Sequence, residues 1–331
     1  MTNNPDKNAP VTKQEIIDGY RFMLNRLPES EKVIDGRLRS NMTFKQFHDE
    51  LWNCPEFKTG RLNSFYDFRF DCAFPPYNVE YKSSPENIQK IVSHIETVWS
   101  NYGKDEAYWS VLTHSMFLRE NLTNDAIETF YASGKDTMRQ IEATLRRCGE
   151  WERLNRNACM EYGCGVGRVT IQLANIFEQV TGLDISQGHL ELARQHINAL
   201  LIKNINVQKI DRLEDIARLP KYDFIFTVIV LQHNPPPIIA ILIESFFKLL
   251  KKDGIVIFQV PVQIAGYTFS VDDYISQMND CTTMEMHMLP QSEILKIARE
   301  NNCYPLEIHG DHCTSDPQSR ISETFVFKKL V

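Results

Sequence analysis

The first pattern of apolar and polar positions along the chain is helical. It follows a polar stretch of ten residues, and its apolar positions are Ile16, Tyr20, Met23 and Leu27. Thr12 and Glu15 precede this face with the spacing of a capping box, and Thr43 with Gln46 repeats that spacing before a second apolar face. We therefore predict a small all-helical domain over residues 11–72.

The pattern changes to that of an α/β fold in the second half of the chain. From Ala158 onward, short β-rich runs alternate with helical patterns, which indicates parallel strands joined by helices. The predicted strands are residues 158–162, 180–183, 207–210, 222–230, 255–260, 304–308 and 324–327. We predict a second domain over residues 85–331, in which a helical cap (85–150) precedes a mainly parallel seven-stranded sheet with helices on both faces (151–331).

Composition and charge narrow the classes of function. Apolar residues make up 43 % and charged residues 24 % of the chain, as is typical of a globular protein. The net charge of −7 provides no broad positive field, so we expect no nucleic-acid partner. None of the eight cysteines belongs to a Cys-x-x-Cys pair, and we predict neither a zinc clip nor a disulfide framework.

The chain has neither a secretory nor a membrane pattern. Its first ten residues lack the charged-then-apolar order of a signal peptide. The longest apolar run, Phe224 to Leu231, is too short to span a bilayer. We expect a cytoplasmic protein without a membrane span.

A glycine-rich turn follows the first predicted strand. Gly163, Gly165 and Gly167 let the backbone approach a ligand closely, and the helix after the turn offers unpaired N–H groups. A dinucleotide fingerprint would need its third glycine where Arg168 stands. Glu161 would repel a pyrophosphate but suits the cationic amino group of S-adenosylmethionine (SAM). The turn therefore favours SAM over NAD.

An acidic residue ends the next predicted strand. Asp184 stands about twenty residues past the turn, where a carboxylate can accept hydrogen bonds from ribose hydroxyls. Ser186 then caps a helix. Asp211 is a candidate for the adenine amino group, with Leu213 packing on the ring. The alternative is that the glycines only make a tight turn and that Asp184 only caps a helix.

Several segments together resemble the class I SAM-dependent methyltransferases, and more narrowly a group of bacterial methyltransferases associated with surface-polysaccharide or sugar modification. The similarity extends over residues 95–331 and rests on residues 108–113, 161–168, 230–237, 258–261 and 284–287. It implies a Rossmann-like α/β fold with SAM as the cofactor. The expected cofactor-binding residues are Tyr108, Trp109, Tyr131, Glu161, Gly163, Cys164, Gly165, Gly167, Arg168, Asp184, Ile185, Asp211, Leu213 and Val228.

Residues 14–57 are similar to an uncharacterised helical module that is fused to bacterial glycosyl- and methyltransferases. The similarity rests on residues 20–28 and 54–57, whereas the module's usual glycine-rich central stretch is missing. The resemblance implies that this region recruits a glycosyltransferase or mediates self-association.

The candidate catalytic residues follow from the chemistry of methyl transfer. Alignment of acceptor, methyl group and sulfur contributes roughly 7–11 kcal/mol, and a general base for a hydroxyl acceptor adds about 10²–10⁴ in rate. His233 is the first candidate base, because it follows a strand at the sheet edge where ligands collect and precedes Pro235–Pro237. His287 is the second, with Glu285 orienting it or binding an acceptor hydroxyl. Either histidine can instead be a structural loop residue.

Other chemistry-bearing residues are assigned less demanding roles. Tyr108, Trp109 and Tyr131 are candidates for a lid over SAM or a stacking surface for a sugar, and core packing is the alternative. We assign His189 and His196 to packing or to the surface. Residues 309–312 have metal-ligand types without matching partners, so we predict no metal site.

The sequence thus predicts a SAM-dependent methyltransferase that acts on a hydroxyl group of a sugar or a sugar-containing metabolite, either a small molecule or a glycan. Two alternatives stay open. The first is N- or C-methylation of another small molecule or of a protein. The second is a non-catalytic assembly subunit with a SAM-type fold.

Overall fold

The computed structural model describes residues 9–24, 26–57, 78–278, 283–311, 313–314 and 319–331. The chain divides into two compact units, residues 1–76 and residues 77–331. Residues 58–72 of the predicted N-terminal domain lie outside the described part of the chain.

The described part of the first unit is helical. Its helices are α1 (Lys13–Leu24), α2 (Glu31–Arg39), α3 (Phe44–Asn53) and α4 (Pro55–Phe57). Both predicted capping boxes are present: Glu15 accepts from the backbone N–H of Thr12 at 2.8 Å, and Thr43 and Gln46 cap each other at the start of α3. The helices enclose a small apolar core that includes Ile16, Tyr20, Phe47 and Leu51.

The second unit is an α/β structure. Its helices are α5 (Pro85–Asp105), α6 (Asn124–Ala132), α7 (Gly134–Arg147), α8 (Thr170–Leu173), α9 (Gln187–Ala199), α10 (Leu213–Ile216), α11 (Pro236–Leu249), α12 (Val271–Gln277) and α13 (Gln291–Glu300). Its strands are β1 (Ala158–Tyr162), β2 (Gln179–Asp184), β3 (Ile205–Lys209), β4 (Tyr222–Thr227), β5 (Leu250–Ile264), β6 (Cys303–Asp311) and β7 (Arg320–Lys329). Among these described residues, no helix is both long enough and apolar enough to cross a lipid bilayer.

The seven strands form one sheet in the order β3-β2-β1-β4-β5-β7-β6. Strands β1 to β5 pair in parallel, whereas β7 is antiparallel to both β5 and β6. The predicted seven-stranded α/β fold is confirmed, and the sheet is mixed. The connection between β6 and β7 is shorter than the crossover that a parallel pair requires, so these two strands pair antiparallel.

The apolar faces of helices cover both sides of the sheet, and successive residues of β4 show how the two sides are shared. Phe224 belongs to the apolar cluster that contains Leu145 of α7. Ile225 belongs to the cluster that contains Phe246 of α11. This alternation is that of a strand buried on both faces. Because β1 lies between β2 and β4, the strand order reverses beside β1, and an open α/β sheet has its ligand crevice at such a point.

Strand β4 is shorter than the sequence predicted. It ends at Thr227, and Ile229 has a φ of 57°, a left-handed conformation that is rare for a β-branched residue. The N–H of Ile229 donates to Oε1 of Gln259 at 3.0 Å in place of a strand partner. The apolar residues after Thr227 continue into the wall of a cavity, which accounts for their strand-like composition.

Candidate functional site

A cavity lies at the carboxyl ends of β1, β2 and β4. Most of the predicted cofactor-binding residues line it: Glu161, Gly163, Cys164, Gly165, Arg168, Asp184, Ile185 and Val228. The sequence placed these residues in one site because parallel strands bring their carboxyl ends to the same edge of a sheet.

The glycine turn forms the floor of this cavity, and two of its glycines are sterically required. Gly163 has a φ of 71°, and a Cβ there would lie 2.3 Å from Cγ2 of Val230. Gly165 has a φ of 53°, and a Cβ there would lie 2.8 Å from Cγ2 of Val111. The backbone N–H groups of Gly163 and Cys164 both donate to the carbonyl of Leu183, which ties the turn to the end of β2.

Asp184 joins the turn to the following helix. Its Oδ2 accepts from the N–H of Gly165 at 2.8 Å, and its Oδ1 accepts from the N–H of Ser186 at 2.8 Å. Ser186 itself is the N-cap of α9. Each carboxylate oxygen can accept more than one hydrogen bond, so this structural role leaves Asp184 able to bind ligand hydroxyls.

Glu161 is a buried carboxyl group in the wall of the cavity. It is 5 % exposed, and its Oε2 accepts from the hydroxyl of Thr170 at 2.5 Å. Burial raises the pKa of Glu161 to about 8, against the opposing effects of Thr170 and Arg168. A cation that enters the cavity would favour the charged carboxylate.

Arg168 supplies a positive group on the same cavity. Its guanidinium donates to the hydroxyls of Thr137 at 3.1 Å and Ser133 at 3.4 Å. Its Nε is buried and has no hydrogen-bond partner among the described residues, and burial lowers the pKa of Arg168. A buried guanidinium beside a ligand cavity suits a carboxylate on that ligand.

The cavity also has a wall that the sequence did not predict. Ile95, Trp99, Ser110 and Val111 line it from α5 and the segment after α5. His189, which we assigned to packing or to the surface, lines it as well. It is 2 % exposed, and its Nε2 lies 2.9 Å from the hydroxyl of Ser110.

Close helix packing brings this wall to the glycine turn. A Cβ at Gly103 would lie 2.1 Å from Oγ of Ser186, and a Cβ at Gly188 would lie 2.7 Å from the carbonyl oxygen of Gly103. Gly103 inside α5 was the one local signal for this contact. Glycine destabilises a helix interior, so its presence there suggests that another element packs closely against it.

The three aromatic residues predicted as a lid lie behind the turn and do not line the cavity. Tyr131 donates to the carbonyl of Val166 at 3.2 Å and stacks on His196 with ring centroids 3.6 Å apart. Tyr108 contacts Tyr131 edge to face. Trp109 packs against the same apolar cluster. These partners hold Tyr131 in the core and pack the partly buried Tyr108 and Trp109 against it.

The remaining predicted cofactor residues also lie outside the lining. Gly167 shapes the turn with a φ of 87°. Asp211 is exposed and pairs with Lys209 at 2.6 Å. Leu213 packs against the main apolar core.

A second, smaller cavity adjoins the first. Ile95 and Trp99 line both cavities. His233 and Glu285 line the second one, and the rings of His233 and Trp99 are 5.5 Å apart at their centroids. The first candidate base therefore lies across a shared wall from the glycine turn.

The ring of His233 is held by two hydrogen bonds. Its Nδ1 lies 2.8 Å from the carbonyl oxygen of Glu285, and its Nε2 lies 3.3 Å from the side-chain nitrogen of Gln232. Burial lowers the pKa of His233, so the ring is neutral at neutral pH.

His287, the second candidate base, has both ring nitrogens engaged. Its Nε2 lies 2.8 Å from Oε2 of Glu285, and its Nδ1 lies 2.7 Å from the hydroxyl of Tyr267. Tyr274 donates to the same Oε2 of Glu285 at 2.8 Å. This cluster fixes Glu285, whose carbonyl in turn orients His233.

In the described part of the chain, no group of three or more His, Cys, Asp or Glu side chains is arranged to hold a metal ion. His312 of the segment with metal-ligand residue types lies outside the described residues.

Comparisons with known proteins bear on the same region. Residues 159–254 match a protein family described as "Methyltransferase domain". A ubiquinone biosynthesis O-methyltransferase from Glaesserella parasuis is 32 % identical over 100 residues, covering 29 % of this chain and 42 % of that protein. A protein of the same name from Vibrio cholerae is 27 % identical over 157 residues, covering 46 % of this chain and 63 % of that protein.

A relative with a different named activity is also similar. The S-adenosyl-L-methionine-dependent Diels-Alderase of Talaromyces variabilis is 36 % identical over 134 residues, covering 38 % of this chain and 45 % of that protein. The chain thus spans less than two thirds of the length of each of these relatives. The magnesium protoporphyrin IX methyltransferase of Synechocystis with bound S-adenosylhomocysteine has a TM-score of 0.46 and 20 % identity, covering 71 % of this chain and 99 % of that one. Residues 159–254 thus resemble a methyltransferase domain, and the chain is similar over part of its length to proteins named as methyltransferases.

Proposed function

We propose that the protein transfers a methyl group from SAM to a hydroxyl group of an uncharged small molecule. The observation that carries this proposal is the placement of His233, a neutral histidine in a cavity that shares Trp99 with the cofactor cavity. A hydroxyl acceptor needs a group that removes its proton, and a neutral imidazole can do so near neutral pH.

The residues of the larger cavity fit SAM in shape and charge. The glycine turn packs closely against Val230 and Val111, where a Cβ would clash, so its backbone lines the cavity directly. The carboxyl group of Glu161 suits the amino group of the methionine part, and the guanidinium of Arg168, which lines the cavity, suits its carboxylate. Asp184 is placed to accept from the ribose hydroxyls. SAM supplies a methyl group on a positively charged sulfur, and the protein supplies alignment and a base.

The smaller cavity favours an uncharged acceptor that carries a ring. None of the described residues that line it is Lys or Arg, whereas Glu285 brings a carboxylate. Trp99 and Tyr274 offer aromatic faces on which a ring can pack. A phosphorylated acceptor, including a nucleotide sugar, would be repelled.

The sugar hydroxyl suggested by the sequence remains one form of this proposal, and a phenolic hydroxyl is the other. Packing on Trp99 or Tyr274 suits either ring, so the acceptor assay must separate them. Uncharged glycosides and catechols, each with its phosphorylated counterpart, are the appropriate set. Turnover of one uncharged class, with none of its phosphorylated counterpart, supports the proposal.

The first experiment is calorimetric titration of the full chain with S-adenosylhomocysteine, with NAD as the control. Binding of S-adenosylhomocysteine that Asp184→Ala abolishes supports the cofactor site. Heat with NAD and none with S-adenosylhomocysteine would overturn it. Methyl transfer is then measured by the release of S-adenosylhomocysteine with the acceptor set.

A second candidate function is a reaction that requires bound SAM without consuming it. This function is considered because the chain is similar to a protein named as a SAM-dependent Diels-Alderase. Stoichiometry separates the two functions, because methyl transfer releases one S-adenosylhomocysteine for each product. N- or C-methylation would instead release S-adenosylhomocysteine with little dependence on His233.

For residues 11–72 we keep the proposal of a partner-binding helical domain, either for a glycosyltransferase or for self-association. The exposed ring of Trp52, 49 % accessible, lies on its surface. A chain that begins at residue 78 and keeps full activity and the same oligomeric state would count against both roles.

A further inference from the structure

A chain of side-chain amides connects the backbone of Ile229 to the ring of His233. The N–H of Ile229 donates to Oε1 of Gln259 at 3.0 Å. Nε2 of Gln259 donates to Oε1 of Gln232 at 3.0 Å. Nε2 of Gln232 lies 3.3 Å from Nε2 of His233. Gln259 is 1 % exposed and Gln232 is 3 % exposed, so their hydrogen bonds must be satisfied within the protein.

The first end of this chain has a fixed polarity. A backbone N–H can only donate, so Gln259 must turn its oxygen toward Ile229 and its NH₂ group toward Gln232. Gln232 then accepts with its oxygen and turns its own NH₂ group toward His233. A donor at this position requires a lone pair on Nε2 of His233.

The second end leads independently to the same tautomer. Nδ1 of His233 lies 2.8 Å from the carbonyl oxygen of Glu285, and a carbonyl oxygen can only accept. Nδ1 must therefore carry the proton. The alternative tautomer would place a lone pair against the Glu285 carbonyl and an N–H against the NH₂ group of Gln232, and both contacts are repulsive.

We propose that Gln232 and Gln259 are positioning residues that hold His233 in the Nδ1–H tautomer, with Nε2 as the proton acceptor. The catalytic part rests on the function proposed above for His233. The 3.3 Å bond from Gln232 is longer than the usual 2.9 Å or so, so an acceptor hydroxyl can replace it. The acceptor O–H proton then passes to Nε2 as the O–C bond forms and the C–S bond breaks, and the sulfonium becomes a neutral thioether.

Substitutions in the amide chain have distinct expected effects on His233. Gln232→Glu places a carboxylate beside Nε2, so both ring nitrogens then face acceptors and the protonated imidazolium is favoured. Gln259→Met removes the anchor two bonds away, so Gln232 is free to turn, whereas the Glu285 carbonyl still holds the proton on Nδ1. Ser322→Ala is the matched control, because Ser322 accepts from Gln259 at 2.6 Å without setting the direction of the chain.

The test is nitrogen-15 NMR of the full chain labelled at the histidine rings, with the His233 signal assigned by its loss in His233→Asn. We expect a single Nδ1–H tautomer in the wild-type protein and in Ser322→Ala. We expect the Nδ1–H tautomer to persist in Gln259→Met with a shifted Nε2 resonance, because Gln232 loses its fixed orientation while the Glu285 carbonyl still binds Nδ1–H. We expect a raised pKa of His233 in Gln232→Glu. With an acceptor, kcat of Gln232→Glu should fall by about 10²-fold, as expected for loss of a general base, while KM for SAM stays unchanged.

An Nε2–H tautomer in the wild-type protein would overturn the inference. Where a variant does not fold, the wild-type spectrum is sufficient to test it. An unchanged pKa of His233 in folded Gln232→Glu would overturn it as well. The tautomer is measured without an acceptor. A single Nδ1–H tautomer in a protein that methylates no acceptor would therefore refute the catalytic role and the proposed function while leaving the geometry intact.

Discussion

Asp184 accepts a hydrogen bond from the backbone N–H of Gly165 at 2.8 Å, so the acid at the end of β2 is fastened to the turn at the end of β1. The same carboxylate also accepts from Ser186. Replacement of Asp184 therefore affects both the shape of the turn and the acceptors offered to a ligand.

We expect Asp184→Asn to weaken the binding of S-adenosylhomocysteine by more than about tenfold, a loss of at least roughly 1.4 kcal/mol. The amide would turn an N–H group toward one of the two backbone donors, which leaves that donor unsatisfied. Titration calorimetry measures the affinity. Asp211→Asn is the control, because Asp211 is exposed and paired with Lys209. A normal affinity in Asp184→Asn would remove this residue from the site.

The glycine turn provides a comparison at matched backbone geometry. Gly163 and Gly149 both have a φ of 71°, but a Cβ at Gly149 would meet no atom within 4 Å, whereas one at Gly163 would lie 2.3 Å from Val230. Both alanine variants carry the cost of a left-handed residue, about 1–2 kcal/mol. We expect Gly163→Ala to lower Tm further and to abolish cofactor binding. Equal Tm values for the two variants would contradict the steric argument.

Glu161 is expected to make cofactor binding depend on pH. Because burial raises its pKa to about 8, the carboxyl group is mostly protonated at pH 7, and a cationic amino group would favour the charged form. Affinity for S-adenosylhomocysteine should rise by up to about tenfold per pH unit as the pH approaches 8, with release of a proton. Calorimetry in buffers of different ionisation enthalpy measures this proton. Proton release that persists in Glu161→Gln would assign it to another group.

Ionisation of Glu161 at higher pH favours ligand binding but lowers the stability of the ligand-free protein. Its pKa is raised above the unfolded value of 4.5 or so, so its contribution to stability is fully present below pH 4.5 and is lost as the pH rises through about 8. Glu161→Gln should therefore raise Tm, and the gain over the wild-type protein should increase between pH 5 and pH 8. Thermal melts across this range measure it, and a gain that is the same at every pH would exclude Glu161 as its source.

His233→Asn should leave the binding of S-adenosylhomocysteine unchanged and lower kcat by about 10²–10⁴-fold. His94→Asn is the control, because His94 lines the same cavity. The lowered pKa of His233 also predicts that wild-type kcat/KM declines with acid only below the ordinary histidine value of about 6.5. Wild-type turnover in His233→Asn would show that another group takes the proton.

Local patterns were enough to predict the strands, the glycine turn and Asp184, because their spacing is set by short segments of chain. They were not enough for Trp99, Ser110 and His189, which reach the cavity only through the tertiary contact between α5 and α9. The extension of β4 to Val230 was wrong because apolar residues that line a cavity have the composition of a buried strand.

The close approach of Gly103 and Gly188 limits how this cavity can be transferred between proteins. One wall of the cavity comes from residues 95–111, which precede the family match at residues 159–254. A graft of the matched segment alone would transfer the glycine turn and Asp184 without the opposing wall. A segment that carries the whole cavity must begin with α5. Changes in α5 would therefore alter ligand affinity as directly as changes in the turn.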